Sequence, residues 1–194
     1  MRLAKKNIDE ELLKKIKQDN RNALDSLFDK YFQGLCDFSN KFLNNAFLAE
    51  EAVSDVFLNI WLKRGELEIK TSLKAYLFTA VKNQSLNYLK KENNIYDDIE
   101  VVDRNGTVSV LRTDDFFRYE ELKEEINIIL EKLPEKMRLV FKLSRIEGFT
   151  YKEIAEILSI SVYTVQNHMV KATKYLSAEY PHLLFWLIGI LNYF

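Results

Sequence analysis

The sequence predicts an all-α protein whose two helical domains are joined by an acidic linker. Apolar residues recur at helical spacing along most of the 194 residues, and only five Gly and two Pro interrupt them. Between Asn93 and about Phe117 this periodicity stops and aspartates dominate. The sequence therefore divides into a first domain over 1–92, an acidic linker over 93–117, a second domain over 118–180 and an apolar C-terminal tail over 181–194.

Three helices are predicted in the first domain. Residues 23–43 place apolar side chains at helical spacing, and residues 47–63 and 72–92 form two further helices. The short polar loop RGELEIKT, which begins at Arg64, connects the last two. We expect the three helices to close one core.

The helix over 47–63 has two different faces. At 100° per residue Leu58 and Leu62 fall beside Glu51 and Asp55, with Asn59 at the margin. Two exposed leucines among acids favour a protein-binding face, although single surface leucines are common. The opposite, buried stripe consists of Ala49, Ala52, Val53, Val56, Phe57 and Ile60.

A helix-turn-helix is predicted in the second domain. Pro134 suits the first turn of a helix that Gly148 ends. Thr150 and Glu153 have the spacing of a capping box, which predicts that the next helix starts after Thr150. Residues 159–161 then form the turn, and the serine at its end can cap the last helix.

The last helix also has two faces. Its apolar side carries Val165, Met169, Ala172 and Leu176. Hydroxyls and amides that can bind base edges, with lysines that can bind phosphates, favour a DNA-recognition helix over a plain helical hairpin with a solvated face. No carboxylate occurs on the second side, which carries Tyr163, Gln166, Asn167, Lys171 and Lys174.

Composition excludes several classes of protein. Cys36 is the only cysteine, so no intrachain disulfide and no cysteine-based metal cage can form, and the two histidines have no partner at metal-ligand spacing. No metal, cofactor or small-molecule substrate is expected. No group of residues indicates an enzyme. Residues 1–20 are charged throughout and lack the apolar core of a signal peptide, which predicts a cytoplasmic protein.

Charge distribution refines the prediction of DNA binding. The net charge of −1 argues against binding by bulk charge. Lysines nevertheless cluster in 72–92 and again in 161–176. This pattern favours a DNA-contacting protein whose affinity is supplied partly by a partner.

Four motifs in order resemble one family. LPEKMRLVFKLSRIEGFTYKEIAEILSISVYTVQNHMVKATKYL resembles region 4 of the extracytoplasmic-function (ECF) sigma factors. ALDSLFDKYFQGL, AEEAVSDVFLNIWLKR and SLKAYLFTAVKNQSLNYLKKEN resemble successive parts of region 2 of the same family. The resemblance is closest to the Bacteroidetes branch, and it implies a dissociable subunit of bacterial RNA polymerase that directs the enzyme to promoters.

The resemblance also assigns residues to roles. Recognition of the promoter −35 element would fall to the last helix through Tyr163, Thr164, Gln166, Asn167, Lys171 and Lys174. Recognition and melting of the −10 element would fall to the RGELEIKT loop and the helix after it, through Glu66, Glu68, Lys70, Lys74, Tyr76, Lys82 and Asn83. Binding to core RNA polymerase would fall to Glu51, Asp55, Leu58, Asn59 and Leu62.

Some alternatives remain open at this stage. The runner-up is a helix-turn-helix transcriptional regulator that is not a polymerase subunit, although no alternating α/β receiver domain is visible in 1–92. The acidic linker is either a spacer or a mimic of nascent RNA. The tail is too short to span a bilayer and either packs or binds a partner, such as an anti-sigma factor that could itself be membrane-bound.

Overall fold

The computed structural model describes residues 2–69, 71–95 and 128–180, and every regular element in this part of the chain is an α-helix. This confirms the predicted all-α class. Lys70, most of the predicted linker and the apolar tail lie outside the described residues. The helices are α1 (Arg2–Lys17), α2 (Arg21–Leu43), α3 (Ala46–Leu62), α4 (Leu73–Ile95), α5 (described over 128–131), α6 (Glu135–Arg145), α7 (Tyr151–Leu158) and α8 (Val162–Glu179).

The chain divides into two compact units. Helices α1 to α4 belong to the first unit, while α5, α6 and α8 belong to the second. Residues 151–154 of α7 group with the second unit and 155–160 with the first.

Helix α2 is the centre of the first unit. It packs against α1, α3 and α4, and α3 and α4 also pack against each other. The stripe predicted for α3 is confirmed, because all six of its members are buried. Asparagine side chains cap the N-termini of α2 and α3. Asn20 accepts a hydrogen bond from the amide of Ala23, and Asn45 accepts one from the amide of Leu48.

One helix and one helix end differ from the sequence prediction. Helix α1 lies in a stretch for which no helix was predicted, because lysines and acids dominate it and Ile16 is its one buried apolar residue among 8–17. Helix α4 continues to Ile95, three residues into the predicted linker. No Gly or Pro occurs between Leu73 and Gly106, so nothing in the sequence ends the helix at Glu92.

A buried carboxylate fixes α1 on α2. Asp9 is buried and accepts a 2.6 Å hydrogen bond from the hydroxyl of Tyr31 as well as one from the ammonium of Lys30. A buried carboxylate is stable only when such donors replace its lost water. Glu11, two residues further along α1, instead makes an exposed bridge to Lys15, which lowers the pKa of its carboxyl.

We predict that Asp9→Ala destabilises the first unit much more than Glu11→Ala does. Removing Asp9 takes away the acceptor of a buried hydroxyl, which costs about 1–3 kcal/mol. Glu11→Ala serves as the matched control, because it removes a lysine-paired carboxylate from the surface of the same helix. Urea unfolding followed by circular dichroism measures both, and equal losses would show that the Asp9 contacts contribute no more than a surface ion pair.

Candidate nucleic-acid and protein interfaces

The start of α7 is fixed by reciprocal side-chain capping. The amide of Glu153 donates to the hydroxyl of Thr150 at 3.3 Å, and the carboxylate of Glu153 accepts from the amide and the hydroxyl of Thr150, both at 2.9 Å. This is the predicted capping box. Before it, Gly148 adopts a φ of 72° and the amide of Phe149 bonds back to the carbonyl of Leu143 at 3.0 Å, which ends α6.

The turn between α7 and α8 is also held by hydrogen bonds between residues that are close in sequence. Ser159 adopts a φ of 57°, and the amide of Ile160 bonds to the carbonyl of Ala155 at 3.0 Å. Ser161 caps α8 by accepting from the amide of Thr164 at 3.0 Å, and the hydroxyls of the two residues lie 2.8 Å apart. Thr164, a predicted −35 contact, is therefore engaged in the cap and is half-buried.

Helix α8 separates its two faces as the sequence predicts. Val165, Met169, Ala172 and Leu176 are all buried, and α6 packs against this helix. We call the exposed side the outer face of α8. It carries the predicted Tyr163, Gln166, Asn167, Lys171 and Lys174 and also Val170, which was not predicted from the sequence, all of them exposed.

The side of α3 away from the core is apolar at three positions. Leu58 and Leu62 are 55% and 65% exposed, as the sequence predicts, with Glu51 and Asn59 also exposed. Phe47 is 73% exposed, and it precedes Leu58 by 11 residues, or about three helical turns, on the same side. Phe47 is not among the contacts predicted from the sequence, although its spacing from Leu58 is the signal that places it there. We call these three side chains the apolar strip of α3.

Asp55 has a different environment from the apolar strip beside it. One of its oxygens, Oδ2, accepts from the amide of Gln84 at 2.9 Å and from the hydroxyl of Tyr88 at 2.8 Å. Burial raises the pKa of Tyr88, and the hydrogen bond to Asp55 raises it further. Asp55 therefore joins α3 to α4, and its assignment to polymerase binding stays a prediction.

The residues predicted to meet the −10 element are dispersed over a loop and one helix. Glu66 and Glu68 are exposed, and Leu67 between them is buried and anchors the loop. Lys70 lies outside the described residues, so its role stays a prediction.

Helix α4 places the other four predicted −10 residues at different depths. Asn83 is exposed, whereas Lys74 and Tyr76 are half-buried, and burial raises the pKa of the Tyr76 hydroxyl. Lys82 is buried, which lowers the pKa of its ammonium. The outward side of α4 also carries Thr79, Asn87 and Lys90, and no acid precedes Glu92 on this helix.

The described residues contain no cluster of His, Cys, Asp and Glu that could hold a metal ion. Cys36 is buried, and its burial raises the pKa of the thiol to about 11. Such a thiol is protonated at neutral pH and is a poor nucleophile. None of the helices within 2–69, 71–95 and 128–180 has the length and apolar character of a membrane span.

Both parts of the chain match known family models. The model of sigma-70 region 2 matches residues 27–95, and that of sigma-70 region 4 matches residues 123–176. The ECF RNA polymerase sigma factor SigW of Bacillus subtilis is 25% identical over 86% of this chain and 94% of its own length. The chain is an ECF-type member of the sigma-70 family. This sigma factor binds core RNA polymerase and directs promoter-specific initiation of transcription.

Other relatives and solved structures agree with the match. The RNA polymerase sigma-H factor of Pseudomonas aeruginosa is 19% identical over 91% of this sigma factor and 95% of its own length. The structure of CnrH in complex with the cytosolic domain of CnrY has a TM-score of 0.54, with 21% identity over 88% and 96% of the two chains. RpoE of Bartonella quintana, in complex with the anti-sigma factor NepR, also gives 0.54, with 20% identity over 79% and 94%. At these identities the structures show a shared fold.

We predict that Asp55→Ala lowers the stability of the first unit by about 1–3 kcal/mol, because two donors on α4 lose their acceptor. Glu50→Ala is the matched control: it removes an exposed carboxylate from the same helix and should change stability by less than about 0.5 kcal/mol. Thermal and urea unfolding measure both variants. A variant of Asp55 as stable as the wild type would show that the link between α3 and α4 contributes nothing to folding.

Proposed function

We propose that the outer face of α8 reads the −35 element in the major groove. The observation that carries this proposal is an exposed helical face of amides, a phenol and lysines with no carboxylate over residues 162–178. Amides pair with adenine edges, and lysines neutralise phosphates. Gln166 and Asn167 are the proposed base readers, while Lys171 and Lys174 are the proposed phosphate contacts.

We propose that the loop over 64–71 and the outward side of α4 meet the −10 element. The outward side of α4, which is rich in amides and has no acid before Glu92, supports contact with a DNA strand, and a loop fixed by a buried Leu67 supports a pocket for an extruded base. Glu66, Glu68 and Lys70 are the proposed specificity residues of the loop. Asn83 is the most accessible of the proposed contacts on α4.

We propose that the apolar strip of α3 docks on core RNA polymerase. Exposed aromatic and leucine side chains at regular helical spacing are the anchors that protein interfaces use, and the exposed Glu51 and Asn59 supply a polar rim. Phe47 extends the proposed surface beyond the two leucines that the sequence singled out. Asp55 accepts hydrogen bonds from Gln84 and Tyr88 of α4, and these bonds hold α3, the helix that carries this surface, against α4.

The sequence motifs support a place in the Bacteroidetes branch of the ECF factors, and the match to the sigma-70 family supports a cytoplasmic factor without enzymatic activity. We also propose an anti-sigma partner for this chain. The support is its likeness to RpoE, which was solved with the anti-sigma factor NepR.

Run-off transcription tests the proposed function. The protein is mixed with core RNA polymerase and a library of genomic fragments, and the start sites of the products are mapped. We expect start sites that depend on this protein and share upstream and downstream elements. A helix-turn-helix regulator acting apart from the polymerase, the alternative that the sequence left open, would produce no such transcripts with core enzyme alone.

We predict that Gln166→Ala and Asn167→Ala each weaken binding to the mapped −35 element by about 1–3 kcal/mol per lost base contact. Lys171→Ala should instead weaken binding to all sequences alike and reduce the steepness of the salt dependence. Holoenzyme binding to wild-type and altered promoters at several salt concentrations measures both effects. An unchanged ranking of promoters in the two amide variants would show that α8 does not read the bases.

We predict that the double change Leu58→Ala and Leu62→Ala reduces assembly with core polymerase while leaving the melting temperature nearly unchanged. Both side chains are more than half exposed, so their truncation removes little buried surface from the monomer. Leu86→Ala, at an exposed leucine of α4, is the matched control and should assemble normally. A large fall in melting temperature for the double variant would identify the two leucines as core and contradict the docking surface.

A further inference from the structure

Val170 is an aliphatic side chain in the middle of the polar outer face of α8. It is 66% exposed. Gln166 lies one turn before it and Lys174 one turn after it, so the three side chains are neighbours along one strip of the helix, with Asn167 beside them. This position puts an apolar group among the side chains proposed to read DNA.

Folding does not account for a valine at this position. The core side of α8 is complete without it, because Val165 and Met169 are 0% and 2% exposed. Valine is also a poorer helix former than the glutamine and lysines around it, since its branched Cβ is restricted in a helix. An exposed valine therefore adds nothing to the stability of this helix that a polar residue would not.

The major groove offers one apolar group to a recognition helix, the C5-methyl group of thymine, since the other groups at base edges are hydrogen-bond donors and acceptors. Valine presents two methyl groups on a short, rigid side chain, so little conformational entropy is lost on contact. We propose that Val170 contacts the methyl group of a thymine in the −35 element and selects thymine at that position. The inference rests on the proposed function of α8 and adds a specificity-determining residue to it.

Replacing single thymines by deoxyuridine tests the contact, because the substitution removes the methyl group and leaves every hydrogen-bonding atom in place. Duplexes with one replacement at each thymine of the mapped −35 element are titrated with holoenzyme containing the full-length chain. The chain is wild type, Val170→Ala or, as the control, Ile146→Ala. Ile146 is also an exposed aliphatic residue, 59% exposed, but it lies outside α8.

For the wild type we expect one thymine at which removal of the methyl group weakens binding about three- to fivefold, the effect of one apolar carbon losing its contact. Val170→Ala should bind the thymine duplex about as weakly as the wild type binds the deoxyuridine duplex, and it should be indifferent to the replacement. Ile146→Ala should keep the methyl dependence of the wild type. Val170→Ala should also retain the wild-type melting temperature, since the side chain is mostly in solvent.

Two results would overturn the inference: no thymine of the −35 element shows a methyl effect, or Val170→Ala keeps the same methyl effect as the wild type. The substitutions at Gln166 and Asn167 separate this failure from failure of the proposed function. If those variants lose discrimination at the −35 element while the methyl effect is absent, α8 reads DNA without help from Val170. If neither set changes binding to the element, the reading role of α8 is itself wrong.

Discussion

The packing of small residues on α3 is the contact on which the first unit depends. Ala49, Ala52 and Val53 are 0–1% exposed, and their small size lets the neighbouring helices approach closely. Tyr88 of α4 packs against the cluster that Ala49 and Ala52 form with Leu43, and its hydroxyl donates to Asp55. The same packing fixes the rotation of α3 about its axis, and so turns the apolar strip outward.

Polar contacts inside the first unit determine how its helices are aligned. The hydroxyls of Ser39 on α2 and Ser85 on α4 are both buried and lie 2.8 Å apart, and Ser85 also donates to the carbonyl of Val81. Asp9 joins α1 to α2 in the same manner. Apolar surfaces can slide past one another at little cost, whereas a buried hydroxyl or carboxylate that loses its partner costs free energy. These polar pairs therefore define one alignment of helices that apolar packing alone leaves less defined.

The helix-turn-helix is instead organised by contacts close in sequence. Thr150 and Glu153 cap α7, and Ser161 caps α8, so the two helices start at fixed residues. Ser159 occupies a left-handed conformation that costs a non-glycine residue free energy, and the bond from Ile160 to Ala155 holds it there. The result is a helix with a capped first turn and an exposed outer face, the arrangement that a recognition helix needs to enter a groove.

The sequence by itself determined the elements whose causes are local. Helical periodicity gave α2, α3 and α8, the Thr-x-x-Glu spacing gave the start of α7, and the six-residue stripe of α3 was identified without error, since a helical period fixes which residues share a face. Only the tertiary structure decided which polar residues are exposed and which are buried or bonded to another helix. Asp55 and Lys82 look like surface residues in the sequence, yet one is bonded to α4 and the other is buried, because burial depends on helices distant in sequence. Phe47 and Val170 are the converse: they are apolar but exposed, since they lie off the buried stripes of their helices, whose core positions are already filled.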